Sequence, residues 1–435
     1  MALGTAAVLV VAFAAPGCTT SRAPTTATPL PTYTLYPTLS PVSTGTGVPT
    51  YTPYPTQTPI WTYTLYPTWT ATVSNTQSPT LSMTGTTTTS PTRTVTPAAS
   101  PTNVCGSGCE AYVTQGWLAQ VSILDSLAGI VSSTMTMGNW IEEPSFAPNG
   151  SWAYIPDSCN AAVYVVDTSA HTVNATVSVG TGTSFSVVSP NGSRAYFTGG
   201  SNISILNTST QALAATIGVG TSSRTFFSPN GSRAYAAGGN DVFVIDTGSY
   251  AIVATVALGT YSGFAMAMTP DGSYLVSAWS WATVVETAGN SIVGTAAAGS
   301  CPMGAIVGPN GSLAYVANQG NGTVTVLAVA TPITIATIAV GGGPRQIVIP
   351  SLGSFGFVAN GYAQSVSVFD TVTNVVVATI STNPGSPRQM AASPGGSFVF
   401  VTCTDGTVRK LDSLTGSYLQ TIPVGSSPER IVFRP

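Results

Sequence analysis

A proline-led hairpin recurs along the chain, as APNGSWAYIPD, SPNGSRAYFTGG, SPNGSRAYAAG, TPDGSYLVSAW, GPNGSLAYVAN and SPGGSFVFVTC. With the proline as marker, the copies fall at Pro148, Pro190, Pro229, Pro270, Pro309, Pro350, Pro394 and Pro435, spaced 42, 39, 41, 39, 41, 44 and 41 residues apart. So regular a period restricts a chain to architectures in which one supersecondary unit is repeated and buries its apolar face only against its neighbours.

Inside each period the order of segments is constant. An apolar strand ends at the proline (SFSVVSP, PRQMAASP), and in most copies an Asn-Gly or Asp-Gly pair follows. That pair reads as a two-residue hairpin turn, because both residues tolerate positive φ. A second strand carries AYV or a variant of it. A third alternates and usually ends in an acid, as at Asp167, Asp246, Asp370 and Asp412, and the fourth is NATVSVG, AATIGVG, IVATVALG or VVATIST. Four antiparallel strands per period, with no helical periodicity, predict an all-β fold, a β-propeller of four-stranded blades. The two ends set the number. Residues 111–115, 121–125 and 129–138 read as strands two to four without a strand one, and 428–435 as a strand one without followers. Seven full repeats plus this composite predict eight blades, closed by the C-terminal strand joining the N-terminal blade so that no inner edge is left open.

The segments AYVTQ, AYVANQGNGTVTVL, VFVTCTDGTVRKLD and VSVFDTVTNVVVATI, with GSPRQMAASPGG, resemble the YVTN-type β-propeller repeat of archaeal and bacterial surface-layer and secreted proteins, over residues 111–435. The resemblance implies the propeller fold and a secreted or cell-surface setting. It implies little about activity, because that family includes surface proteins of unassigned role and relatives of enzymes. Two copies depart from the pattern: Glu286 ends a third strand where Asp is usual, and Ala328 stands at that position in the next copy. Analogy with the family also makes seven blades the competing count.

Ahead of the repeats the composition changes twice. MALGTAAVLVVAFAAPGC holds an apolar run too short to span a bilayer as a helix and suited to a signal-peptide core, although no Lys or Arg precedes it. Its end resembles a bacterial lipoprotein cleavage site with Ala and Pro where Leu and Ala or Ser are usual, so lipidation of Cys18 is an alternative to plain cleavage. Residues 19–103 are Thr, Pro, Ser and Tyr, with YTLYPT at 33–38 and again at 63–68. Such a tract cannot bury a core. It reads as a disordered or polyproline II stalk of the composition that carries O-linked sugar, reaching roughly 260 Å if fully extended at about 3.1 Å per residue. The expected division is therefore a signal segment 1–18, a stalk 19–103 and a propeller 104–435. In an oxidising compartment Cys105 and Cys109, with three flexible residues between them, can close a tight disulfide.

Charge excludes several functions. Charged side chains make up 6% of the chain and the net charge is −3, too little for long-range recruitment of nucleic acid or anionic lipid. One histidine, His171, and one lysine, Lys410, leave almost no material for a Ser-His-Asp relay or a His-rich metal site, and no metal or cofactor is expected. The acids ending the third strands read as turn residues accepting local backbone hydrogen bonds, and His171 as an exposed loop residue. What remains is a set of non-repetitive residues at the starts of the inner strands: Glu142, Glu143, Phe185, Arg224, Phe264, Met303, Arg345, Arg388, Glu429 and Arg430. In a propeller these positions converge on the mouth of the central channel. The four arginines can hold a carboxylated or sulfated sugar, since guanidinium forks match planar anions, or can pair with the three acids and plug the channel.

Asn149, Asn191, Asn230 and Asn310 each begin an Asn-Gly-Ser sequon, and further sequons start at Asn174, Asn202, Asn207 and Asn321. All eight are candidate N-glycosylation sites, although turn chemistry alone accounts for Asn-Gly. The expected function is that of a secreted, non-enzymatic, extracellular propeller protein at the cell surface, serving adhesion, envelope or extracellular assembly. Its expected partners are cell-surface or matrix components, carbohydrate among them, or further copies of itself. No nucleic acid and no transmembrane helix in the mature chain are expected. The alternatives are a carbohydrate-binding or carbohydrate-cleaving propeller using the channel mouth, and a filament or lattice subunit assembled through the Thr/Pro-rich tail.

Overall fold

The computed structural model describes residues 109–138, 140–220, 222–259, 265–279 and 281–435. The expected signal segment, the stalk, Cys105 and Phe264 lie outside them. The described chain forms eight four-stranded antiparallel sheets arranged as the blades of a propeller. Blade 1 combines residues 110–136 with the C-terminal strand Arg430–Phe433; blades 2 to 8 span 145–178, 183–218, 222–257, 265–297, 302–339, 344–381 and 387–423. The count is eight, and the seven-bladed alternative falls away. In blades 2 to 8 the strands lie in chain order from the channel to the rim, while in blade 1 the C-terminal strand takes the innermost place.

Burial explains why the middle strands read as near-continuous apolar runs. The second strand of each blade is sandwiched between two neighbouring blades and is buried on both faces, as in Arg194–Gly199, whose residues after Arg194 are all buried. The apolar clusters accordingly lie between blades: Tyr196, Ile203 and Ile205 of blade 3 pack on Ala234, Ala236 and Ile245 of blade 4. The alternation of large and small residues is what lets the two sheets interdigitate at this spacing.

The proline-led turns differ from their expected form. Only the glycines have positive φ, from 68° at Gly150 to 75° at Gly311. In SPNGSR the Gly192 amide donates to the Ser189 carbonyl at 2.8 Å, and the Ser189 amide donates to the Arg194 carbonyl at 2.8 Å. Pro190 and Asn191 therefore form the centre of the turn, and Gly192 follows in the left-handed region. Proline decides this, because its fixed φ suits the first central position of an ordinary turn and cannot supply the positive φ of the mirror-image one.

All eight outermost strands carry a bulge against the third strand, for example between Ile205 and Leu206 of blade 3 and between Val244 and Ile245 of blade 4. None of these outer strands contains a charged residue. Apolar side chains stand exposed there, including Val253 at 50% and Ile335 at 51%. An edge without charge is a template for pairing with another chain, and the repeated bulge is the device that interrupts the template.

The ring closes as the sequence predicts. Tyr112 pairs with Val432 and Val113 with Ile431. Arg434 Nη1 donates to Glu110 Oε2 at 3.0 Å, tying the first strand to the last. On the other side of blade 1, Lys410 Nζ donates to the Ser126 carbonyl at 2.8 Å and sits 4.1 Å from the centre of the Phe398 ring. His171, expected in solvent, is half-buried and meets Glu110 Oε1 at 3.1 Å, so it belongs to this seam. Cys109 is disulfide-bonded, as is Cys301, while Cys159 and Cys403 are free thiols. Among the described residues no helix is long and apolar enough to cross a membrane.

Candidate functional site: the channel mouth

The innermost strands begin at the channel, and several do so irregularly. Pairing with the second strand lapses between Ser222 and Thr225, between Pro302 and Gly304, between Pro344 and Gln346 and between Pro387 and Met390. Arg224, Met303, Arg345 and Arg388 fall in these lapses. A bulge at a strand end re-aims the side chain it carries, and here it frees the arginines from the alternation that governs the rest of the strand.

The residue after two of these arginines has a different task. Gln389 Oε1 accepts from the Ile431 amide at 2.6 Å, and Gln346 Oε1 accepts from the Met390 amide at 2.5 Å. Each glutamine thus latches its inner strand to that of the next blade. Ser186 Oγ does the same in the other direction, donating to the Glu143 carbonyl at 3.0 Å. The repeated Pro-Arg-Gln at 344–346 and 387–389 was the available signal for these latches, but a glutamine in an apolar strand has no meaning until the neighbouring blade is in place.

The mouth residues form an arc through adjacent blades. Arg388 Nη1 lies 3.6 Å from Glu429 Oε1, and Arg430 Nη2 lies 3.7 Å from Glu142 Oε2. Both are loose ion pairs, longer than a hydrogen bond. Phe185 is flanked by two guanidinium groups, with Arg224 Cζ 4.6 Å and Arg430 Cζ 5.9 Å from its ring centre. Arg345 Cζ stands 5.9 Å from the Tyr362 ring. Burial pushes the Arg224 guanidinium below its ordinary range, an effect opposed by the nearby Glu143 carboxylate. Burial likewise raises the carboxyl of Glu142, against the pull of Arg430.

The structure therefore brings Glu142, Glu143, Arg224, Glu429, Arg430 and Arg388 together and sets Arg345 with Tyr362. Pairing is incomplete. Arg224 Nε, Arg345 Nε, Arg430 Nε and Glu143 Oε2 are buried atoms with no hydrogen-bond partner among the described residues. Phe185 and Tyr362 supply the aromatic faces; Tyr362 lies in the hairpin after the second strand of blade 7 and carries no repeat signature that would mark it in sequence.

The sequon asparagines lie elsewhere. Asn149, Asn191, Asn230 and Asn310 sit exposed in the proline-led turns, where each Oδ1 accepts from the hydroxyl of the serine two residues on, at 2.8 to 2.9 Å. Asn207 makes the same bond to Ser209 at 2.8 Å. Asn174 and Asn202 are exposed on strands, and Asn321 accepts from the Ser300 amide.

No protein-family model and no curated protein matches the chain. Solved structures do. A structure described as dihydro-heme d1 dehydrogenase NirN in complex with DHE aligns with a TM-score of 0.65 at 16% identity, covering 74% of each chain. A functionally unknown protein from Desulfotomaculum acetoxidans DSM 771 aligns with a TM-score of 0.52 at 14% identity, covering 75% of this chain and 99% of that one. Hydrazine synthase of Kuenenia stuttgartiensis aligns with a TM-score of 0.50 at 19% identity, over 61% of this chain and 93% of that one. At these identities the likeness is one of fold, and it is to propellers of different occupations.

Proposed function

We propose that this chain is an extracellular surface protein whose propeller is a binding head without catalytic activity, held off the surface by the Thr/Pro-rich segment, and that its channel mouth takes an anionic saccharide bearing carboxylate or sulfate groups. One observation carries the reading: three buried arginine Nε atoms at the mouth lack a hydrogen-bond partner among the described residues. A buried donor left unpaired is costly, and an anion in the mouth would satisfy several at once. The exposed ring of Tyr362 suits the apolar face of a sugar ring.

The test is binding of the full-length chain to polygalacturonate, chondroitin sulfate and neutral dextran at physiological salt. The two anionic polymers should bind and dextran should not. Arg345→Ala should weaken binding by about tenfold or more, the scale of a lost hydrogen bond to a charged group, whereas Arg345→Lys should recover part of it. Equal binding of all three polymers, or an unaffected Arg345→Ala variant, defeats the reading. One feature favours the cleaving alternative: burial shifts the Glu142 carboxyl upward, against the pull of Arg430, in the direction a general acid requires. Shortened polymer chains after prolonged incubation, lost in Glu142→Gln, would decide for that alternative.

A further inference from the structure

On the face opposite the mouth, wedges lie beneath the proline-led turns between neighbouring blades, as between blades 2 and 3 and between blades 6 and 7. In the first three junctions the second-strand tyrosine, Tyr112, Tyr154 or Tyr196, is buried, and a left-handed residue of the next blade, His171, Gln211 or Tyr250, stands four positions after Asp167, Asn207 or Asp246. In two junctions side chains fill the wedge. Between blades 1 and 2, Glu110 meets His171 at 3.1 Å and Arg434 at 3.0 Å. Between blades 3 and 4, Arg194 Nε donates to Tyr250 Oη at 2.5 Å.

Between blades 2 and 3 the same positions leave the wedge open. Trp152 stands where blade 3 has Arg194, and Gln211 stands where blade 4 has Tyr250. Gln211 does not cross the gap: its Oε1 accepts from Asn174 Nδ2 at 2.7 Å, out on the rim strand. What remains is a cleft of about 330 Å³, within the range of small-ligand sites. Trp152, Asn149 and Asn191 line it together with Thr208 and Ser209 of blade 3. Tyr154 also lines it; its side chain is fully buried and its hydroxyl, like those of Tyr112 and Tyr196 at the two filled junctions, has no hydrogen-bond partner among the described residues. No charged residue lines the cleft among the described residues.

We propose that the cleft between blades 2 and 3 binds a neutral pyranose ring, stacked on Trp152 and hydrogen-bonded to the Tyr154 hydroxyl. An indole face, amides, hydroxyls and a buried unpaired phenol, without charge, are a set that recognises a polyhydroxylated ring and offers nothing to an ion. The molecule contains its own control. The wedge between blades 6 and 7 has about the same volume, 340 Å³. There Leu313 takes the place of Trp152, and the Tyr315 hydroxyl already donates to the Thr371 carbonyl at 3.4 Å. This site is separate from the mouth and stands or falls independently of it.

The sugar has two sources: a saccharide from outside, or the chain's own glycan on Asn149 at the rim. The experiment is calorimetric titration of the full-length chain, made in a host without N-glycosylation, with methyl β-glucoside, methyl α-mannoside and N-acetylglucosamine. At least one should bind in the millimolar range. Tyr154→Phe and Trp152→Leu should each weaken it by about tenfold, the scale of one lost buried hydrogen bond or stacking contact, and Tyr315→Phe should change nothing. Binding that persists in protein from a glycosylating host assigns the cleft to an external sugar. Binding that is blocked there and returns after enzymatic trimming of the N-linked glycan assigns it to the chain's own glycan. No heat of binding with any of the three sugars, or affinity unmoved by Tyr154→Phe, overturns the proposal.

Discussion

Asp271 stands where four other blades carry asparagine, at the centre of a proline-led turn. Its carboxylate accepts from the Ser273 amide at 3.0 Å and the Ser273 hydroxyl at 2.8 Å. With the Thr269 hydroxyl as the largest influence, these bonds hold its pKa down to about 2. The folded value lies below the unfolded one, so the stabilisation is present above the unfolded pKa of about 4 and is lost as pH falls through about 2. Asp271→Asn, which keeps the turn geometry of its neighbours, should melt with the parent at pH 7 and above it at pH 2; equal midpoints at both pH values would count against this account. Local roles of this kind were legible in the sequence. Asp167, Asp370 and Asp412 each accept backbone amides two and three residues on, as their positions after a strand imply. His171 was not legible, because its partner Glu110 lies 61 residues away and the two meet only across a blade junction.

Blade 7 departs from its siblings in one pair of facing residues. Gly356 pairs directly with Phe369, where the blade before it has Ala314 opposite Leu327. A β-carbon on Gly356 would come within 2.1 Å of the Phe369 ring. The larger residue on one strand is offset by the smaller on the other, so the interior stays filled. Gly356→Ala should therefore destabilise by about 1–3 kcal/mol, while Gly356→Ala with Phe369→Leu should regain most of that loss in denaturant unfolding. Additive losses in the two single variants would show that the pair is not coupled. Strand order, number and hairpin positions were readable from periodicity at this scale. The bulges that set the mouth arginines and guard the rim were not, because a bulge is a mismatch between two strands and neither strand shows it alone.

At the scale of the whole ring, stability depends on the last strand. Deleting 428–435 removes the strand that pairs with residues 111–114, together with the Arg434 bonds to Glu110 and to the Gly150 carbonyl. It leaves the inner edge of blade 1 open and uncovers the apolar residues that Ile431 packs against, among them Val113 and Phe400. The truncated chain should unfold at a clearly lower temperature and over a broader range, since an opened array of repeats loses the cooperativity that closure imposes. Thermal unfolding that matches the full-length protein would show that the ring is held by other means.

By itself, the amino-acid order determined the propeller, the eight blades and the seam, because a forty-residue period with three strands of a blade at one end and its missing strand at the other leaves few ways to bury the apolar faces. It also singled out the non-repetitive residues at the starts of the inner strands, of which the structure brings Glu142 and Arg430, and Arg388 and Glu429, into facing pairs. Only the tertiary structure decided which of those residues pair, which arginine atoms stay unpaired, and that the wedge between blades 2 and 3 is open while the one between blades 3 and 4 is closed. These are properties of contacts between blades, where the partners are tens of residues apart and a single change from Arg194 to its counterpart Trp152 alters what the gap can hold.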